Sequence, residues 1–118
     1  MRRPAAPEQP VVTKVRATSC TVTYQPPLRD GDAPVTGYIL ERRTPGPDSE
    51  WIRVNDTPVT DLQYTVDNLT PDTEYEFRVA ATNKRQAGYF SSVSLRILTV
   101  RFPGTSLFFY LLDLLGDS

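Results

Sequence analysis

The sequence predicts an all-β protein, a seven-stranded antiparallel β-sandwich, and three observations point to it. The first is an alternation: Tyr75, Phe77, Val79 and Ala81 share one parity, and Glu74, Glu76, Arg78 and Thr82 share the other. Side chains alternate across a strand, so this stretch is a strand with one face buried. The second is what precedes it. Leu69-x-Pro71-x-x-x-Tyr75 reads as an apolar strand end, a proline turn and a tyrosine at the start of the next strand. That is the sequence form of a tyrosine corner, in which the phenol hydroxyl is expected to donate to an upstream backbone carbonyl. The third is that short runs of strand parity recur between turn signals, with no helical periodicity before residue 100.

The elements follow in order. Residues Met1–Pro7 read as a proline-rich linker, extended and weakly ordered. Pro10–Val15 is an edge strand with its proline at the start, where proline is tolerated. Cys20, Val22 and Tyr24 alternate with Thr21, Thr23 and Gln25 in a second strand that Pro26-Pro27 ends. Asp30-Gly31-Asp32 marks a turn in the loop that follows. Val35–Arg43 is the third strand, with Tyr38 and Leu40 inward and Glu41 and Arg43 outward, and Pro45-Gly46-Pro47 breaks it. Trp51–Val54 is a short fourth strand and Gln63–Val66 a fifth, with Tyr64 and Val66 inward. The alternating stretch above is the sixth. Asn83–Gly88 is expected to be a loop, and Val93, Leu95 and Ile97 supply a seventh strand.

Length and charge narrow the function. A chain of 118 residues suits one domain. With 13 basic and 14 acidic residues the net charge is -1, too small a field to advertise a nucleic acid partner. The single cysteine, Cys20, allows no internal disulfide and leans towards a reducing compartment. The start of the chain carries no apolar run of the kind that forms a secretory signal.

Three runs now carry a resemblance: Thr21–Pro27 (TVTYQPP), Gly37–Arg43 (GYILERR) and Leu69–Asn83 (LTPDTEYEFRVAATN). Over about residues 8–100 the chain resembles a fibronectin type III domain, which implies an immunoglobulin-like topology for the sandwich. More narrowly it looks like the type III modules of giant muscle proteins such as titin and the myosin-binding proteins, on the strength of Asp30–Tyr38 and Trp51–Asn55. The chain departs from the family at Tyr24, where tryptophan is usual, so that a buried hydroxyl must find a partner. It departs again at Lys84–Phe90, which lacks the family's second glycine and its proline. Nothing after about residue 100 matches, and Arg101–Ser118 reads as an apolar tail outside the domain.

Chemistry finds little purchase. There is no histidine, so no histidine-based triad, and Cys20 on an inward parity is a small core residue. Neither a catalytic site, a cofactor nor a metal site is expected: zinc lacks ligands, and Asp30 and Asp32 fall short of the six or more oxygens calcium takes. The order Arg29-Asp30-Gly31 is not the integrin tripeptide. Asn55-Asp56-Thr57 and Asn68-Leu69-Thr70 fit the glycosylation pattern and count weakly for an extracellular home. The structural residues expected are Tyr75, Leu69, Pro71, Tyr24, Val22, Tyr38 and Trp51. Glu41, Arg43, Glu74, Glu76 and Arg78 should share the solvent face of one sheet, as cross-strand charge pairs or as a docking face. In the tail, Leu107–Leu115 is too short to span a membrane.

The resemblance implies a non-catalytic, protein-binding spacer in a cytoplasmic scaffold of the sarcomere or cytoskeleton. Its partners would be other proteins and neighbouring domains of the same chain, with no nucleic acid and no membrane span. The alternative is an extracellular adhesion or receptor module.

Overall fold

The computed structural model describes residues 2–101; the apolar tail beyond them, Leu107–Leu115 included, lies outside the described residues. Eight strands form: β1 (Val11–Thr13), β2 (Cys20–Thr23), β3 (Val35–Arg43), β4 (Ile52–Arg53), β5 (Gln63–Val66), β6 (Glu74–Asn83), β7 (Ala87–Phe90) and β8 (Ile97–Leu98). One sheet has the order β1-β2-β5; the other runs β4-β3-β6-β7, with β8 also paired to β6. Every pairing is antiparallel. The core is built from the inward parity of each long strand: Cys20, Val22 and Tyr24 from one sheet meet Tyr38, Leu40, Tyr75, Phe77, Val79 and Ala81 of the other, with Val66 and Leu69 closing it. Burying each large member contributes about 1.5–3 kcal/mol. The Tyr24 and Tyr38 rings touch across the two sheets, 4.9 Å apart and tilted.

The last strand differs from its expected form. It is two pieces, β7 and β8, and the stretch expected as a loop already contains the start of β7. Leu95, placed in the seventh strand by parity, is 79% exposed. The reason lies at Ser91 and Ser94. Each donates its own N–H to β6, to the Val79 and Phe77 carbonyls at 2.8 Å. Each hydroxyl also accepts from β6, Ser91 from Val79 N–H at 3.0 Å and Ser94 from Phe77 N–H at 2.9 Å. Two hydroxyls thus stand where backbone carbonyls would, and the ladder continues without strand geometry.

Residues 2–7, expected as a linker, are tied to the body. Ala5 N–H donates to the Arg29 carbonyl (2.9 Å), Asp32 N–H to the Arg2 carbonyl (3.1 Å) and Tyr89 N–H to the Pro4 carbonyl (3.2 Å). Pro4 is fully buried. The strap lies so close that a Cβ on Gly88 would sit 2.5 Å from the Pro4 carbonyl oxygen.

The tyrosine corner forms with its hydrogen bond reversed. Tyr75 is 3% exposed, and its hydroxyl oxygen accepts from Thr70 N–H at 2.8 Å, where donation to a carbonyl was expected. Tyr75→Phe therefore orphans a backbone N–H. We expect it to lower unfolding free energy by about 1–3 kcal/mol, measured by chemical denaturation; an unchanged midpoint would contradict the role of the hydroxyl.

Candidate functional site: the outer face of β3 and β6

The register sets Glu41 of β3 directly opposite Arg78 of β6, and Arg43 opposite Glu76. Opposite residues on one face are close enough to pair, and both pairs form. Arg78 Nε and Nη2 reach Glu41 Oε1 at 2.9 and 2.6 Å, and Arg43 Nε reaches Glu76 Oε1 at 2.9 Å. Arg96 adds a looser contact to the other oxygen of Glu76 at 3.6 Å. Glu74 shares the parity but is exposed and joins none of these pairs.

Two aromatic rings order the arginines, and sequence reading missed this. The Trp51 ring lies 4.3 Å from the Arg43 guanidinium and 4.4 Å from that of Arg78. Arg78 also sits 4.0 Å from the Phe90 ring. The result is a row, Arg43–Trp51–Arg78–Phe90, in which each ring presents its negative π face to a cation. Trp51, expected as a structural residue, is thus half-buried on this face and absent from the apolar core. Such contacts contribute roughly 0.5–2 kcal/mol each, more where desolvated, against about 0–1 kcal/mol for an exposed ion pair. The Glu76 side chain is only 11% exposed and that of Glu41 14%, so salt screens these pairs less than exposed ones. The signal legible in sequence was outward parity at residues 41, 43, 76 and 78; nothing in it placed the rings.

The other singled-out residues fall elsewhere. The Tyr24 hydroxyl donates to the Asp61 carbonyl at 2.7 Å, so the hydroxyl that tryptophan would lack is satisfied. Burial first, then Tyr38 and Asp61, push its pKa well up; burial and then Asp30 raise that of Tyr38. Val22 and Leu69 are buried and Pro71 is half-buried. Asp30-Gly31-Asp32 is a turn, with Gly31 at φ 83° in the region that favours glycine. Among the described residues no cluster of three or more metal-ligating side chains occurs, and no helix is long and apolar enough to cross a membrane.

The two glycosylation triplets part ways. Asn55 is 5% exposed and its amide is committed. Oδ1 accepts from Leu40 N–H at 2.9 Å, while Nδ2 donates to the Tyr38 and Thr57 carbonyls at 3.0 and 2.9 Å. A sugar on that nitrogen is incompatible with the folded domain. Asn68 is exposed at φ 59°, a left-handed conformation that asparagine tolerates.

Cys20 is 1% exposed, and burial pushes its thiol pKa up to about 11. The thiolate is the reactive form, so native Cys20 should label with a thiol reagent only as fast as the domain opens; rapid labelling would contradict its burial. The folded pKa lies above the unfolded one. The stability this contributes is present below the unfolded thiol's pKa and is lost as pH rises towards about 11. Tyr24 and Tyr38, shifted the same way, extend the loss. Melting temperature should fall across this alkaline window, and less steeply in Cys20→Ala.

A two-sheet sandwich with a tyrosine corner defines the class, an immunoglobulin-like β-sandwich domain. Residues 5–96 match the family model described as the fibronectin type III domain, and the chain belongs to that family. It is 35% identical over 101 residues to cardiac-type myosin-binding protein C of Mus musculus, covering 86% of this chain and 8% of that protein. It is 33% identical over 111 residues to titin of Drosophila melanogaster, covering 86% of this chain and 1% of that protein. A crystal structure of titin domains superposes with a TM-score of 0.78 at 32% identity, covering 84% of this chain and 33% of that one. The chain therefore spans less than a tenth of the length of these two curated relatives.

Proposed function

We propose that this domain is a non-catalytic docking and spacer module of a sarcomeric or cytoskeletal scaffold, acting among neighbouring domains of its own chain and binding other proteins. The observation that carries the reading is the likeness to muscle modules: relatives in myosin-binding protein C and titin match over 86% of the chain. The module is taken as residues 8–100, with the strap of residues 2–7 packed against it and 101–118 outside it. The outer face of β3 and β6 is the docking surface in this reading. Its charges are already oriented by Trp51 and Phe90, so a partner meets ordered side chains and less rotamer freedom is lost on contact.

The test is to express the tagged 118-residue chain in cultured muscle cells. Periodic striation is the expected result, and it should be lost in a Glu41→Arg, Arg78→Glu double variant, which keeps the cross-strand pair but inverts its charges. A diffuse signal for the unaltered chain would contradict the reading. The second reading, an extracellular adhesion module, is favoured by one observation, the exposed Asn68 in its Asn-Leu-Thr triplet. A glycosidase-sensitive mass shift at Asn68 in secreted protein would support it.

A further inference from the structure

The N-terminal strap and the loop before β3 border a cleft of about 670 Å³ lined by Arg2, Arg3, Ala5, Arg29, Asp30, Gly31 and Tyr89. That volume is in the range of sites that hold a ligand or a short peptide segment. Three arginines against one aspartate leave two net positive charges at a single cleft on a chain whose total is -1. Among the described residues the arginine ion pairs belong to Arg43, Arg78, Arg96 and Arg101; Arg2, Arg3 and Arg29 take no part in them. The Arg3 guanidinium instead stacks 5.4 Å from the Tyr89 ring, and Tyr89 is 59% exposed. The walls are fixed by the strap's backbone bonds to Arg29, Asp32 and Tyr89, and by the Arg2 N–H donated to Asp32 Oδ2 at 2.7 Å. A Cβ on Gly31 would lie 2.5 Å from the Arg2 carbonyl oxygen, so the loop and strap touch only because that residue is glycine.

We propose that this cleft docks an acidic segment of a partner protein, its carboxylates on the arginines and an apolar side chain against Tyr89. The proposal rests on the reading that the module binds protein. Guanidinium groups match carboxylates with two parallel hydrogen bonds. A peptide also sets discrete carboxylates beside an apolar group, which is what arginines flanking Ala5 and Tyr89 suit. A nucleic acid backbone is the other polyanion that arginines attract, and competition by single-stranded DNA distinguishes it.

The experiment is fluorescence anisotropy of a short labelled peptide of glutamates around a central leucine, titrated with the 118-residue chain. Saturable binding is expected. It should weaken about tenfold or more in Arg29→Glu and again in Arg3→Glu, and weaken as salt is raised, since about 0.1 M salt already screens beyond roughly 10 Å. Arg53→Glu on β4, outside the cleft lining, should bind as the unaltered chain does. Both cleft side chains are exposed, and thermal melts check that each variant is folded. Binding indifferent to both cleft variants, or no binding at all, overturns the proposal. So does displacement of the peptide by lower concentrations of single-stranded DNA or anionic vesicles. A chain that localises to striations yet ignores the peptide overturns the cleft and leaves the scaffold reading in place.

Discussion

Asn55→Ala is expected to destabilise the domain by about 2–4 kcal/mol, read from the shift in denaturation midpoint at unchanged slope. The side chain extends the edge of β3 beyond the two residues of β4. Val54 N–H donates to the Leu40 carbonyl at 3.0 Å, and the next partners along β3 are the two ends of the Asn55 amide, on Leu40 N–H and the Tyr38 carbonyl. Alanine removes both. The Tyr38 carbonyl keeps the N–H of Val59 at 2.9 Å, but Leu40 N–H, on a residue that is 0% exposed, loses its acceptor. A buried donor left unpaired costs its full desolvation penalty, and the cavity left by the amide adds to it. A loss below about 0.5 kcal/mol, the range of ordinary surface substitutions, would mean that the amide does not carry this edge.

The double variant Ser91→Ala, Ser94→Ala should cost about 2–6 kcal/mol, from two orphaned donors at roughly 1–3 kcal/mol each. Both hydroxyls accept from N–H groups of β6, on Phe77 and Val79, at residues that are 0% exposed. The loss should fall in one place. Hydrogen exchange at the Phe77 and Val79 amides should accelerate before that of the β3–β6 ladder, because the edge of β6 between β7 and β8 opens first. Uniform acceleration across the sheet would contradict this local account.

These residues also show where the sequence was legible. Parity was enough for β3 and β5, whose ends fall where the alternation puts them, and for the inward set of β6, because burial on one face leaves a period of two. It failed where a side chain takes over a backbone role. Ser91, Ser94 and Asn55 continue ladders without strand geometry, so no alternation marks them, and the seventh strand that parity places through Leu95 is split into β7 and β8. The strap escapes parity for a similar reason: Pro4 suggests an open linker, yet it packs closely on Gly88, and the Arg2 backbone on Gly31, both far away in sequence. In the candidate site the charges were legible as outward parity, whereas the row of rings required Trp51 and Phe90 to arrive from two other segments.

The central claim, that this domain docks on a muscle scaffold's partners, is tested most directly by binding to washed myofibrils. The labelled 118-residue chain is titrated onto them and the bound fraction measured after sedimentation. The account predicts saturable binding that unlabelled folded chain displaces and that heat-unfolded chain does not. Binding that rises linearly without saturation, or that persists against excess folded competitor, would contradict it.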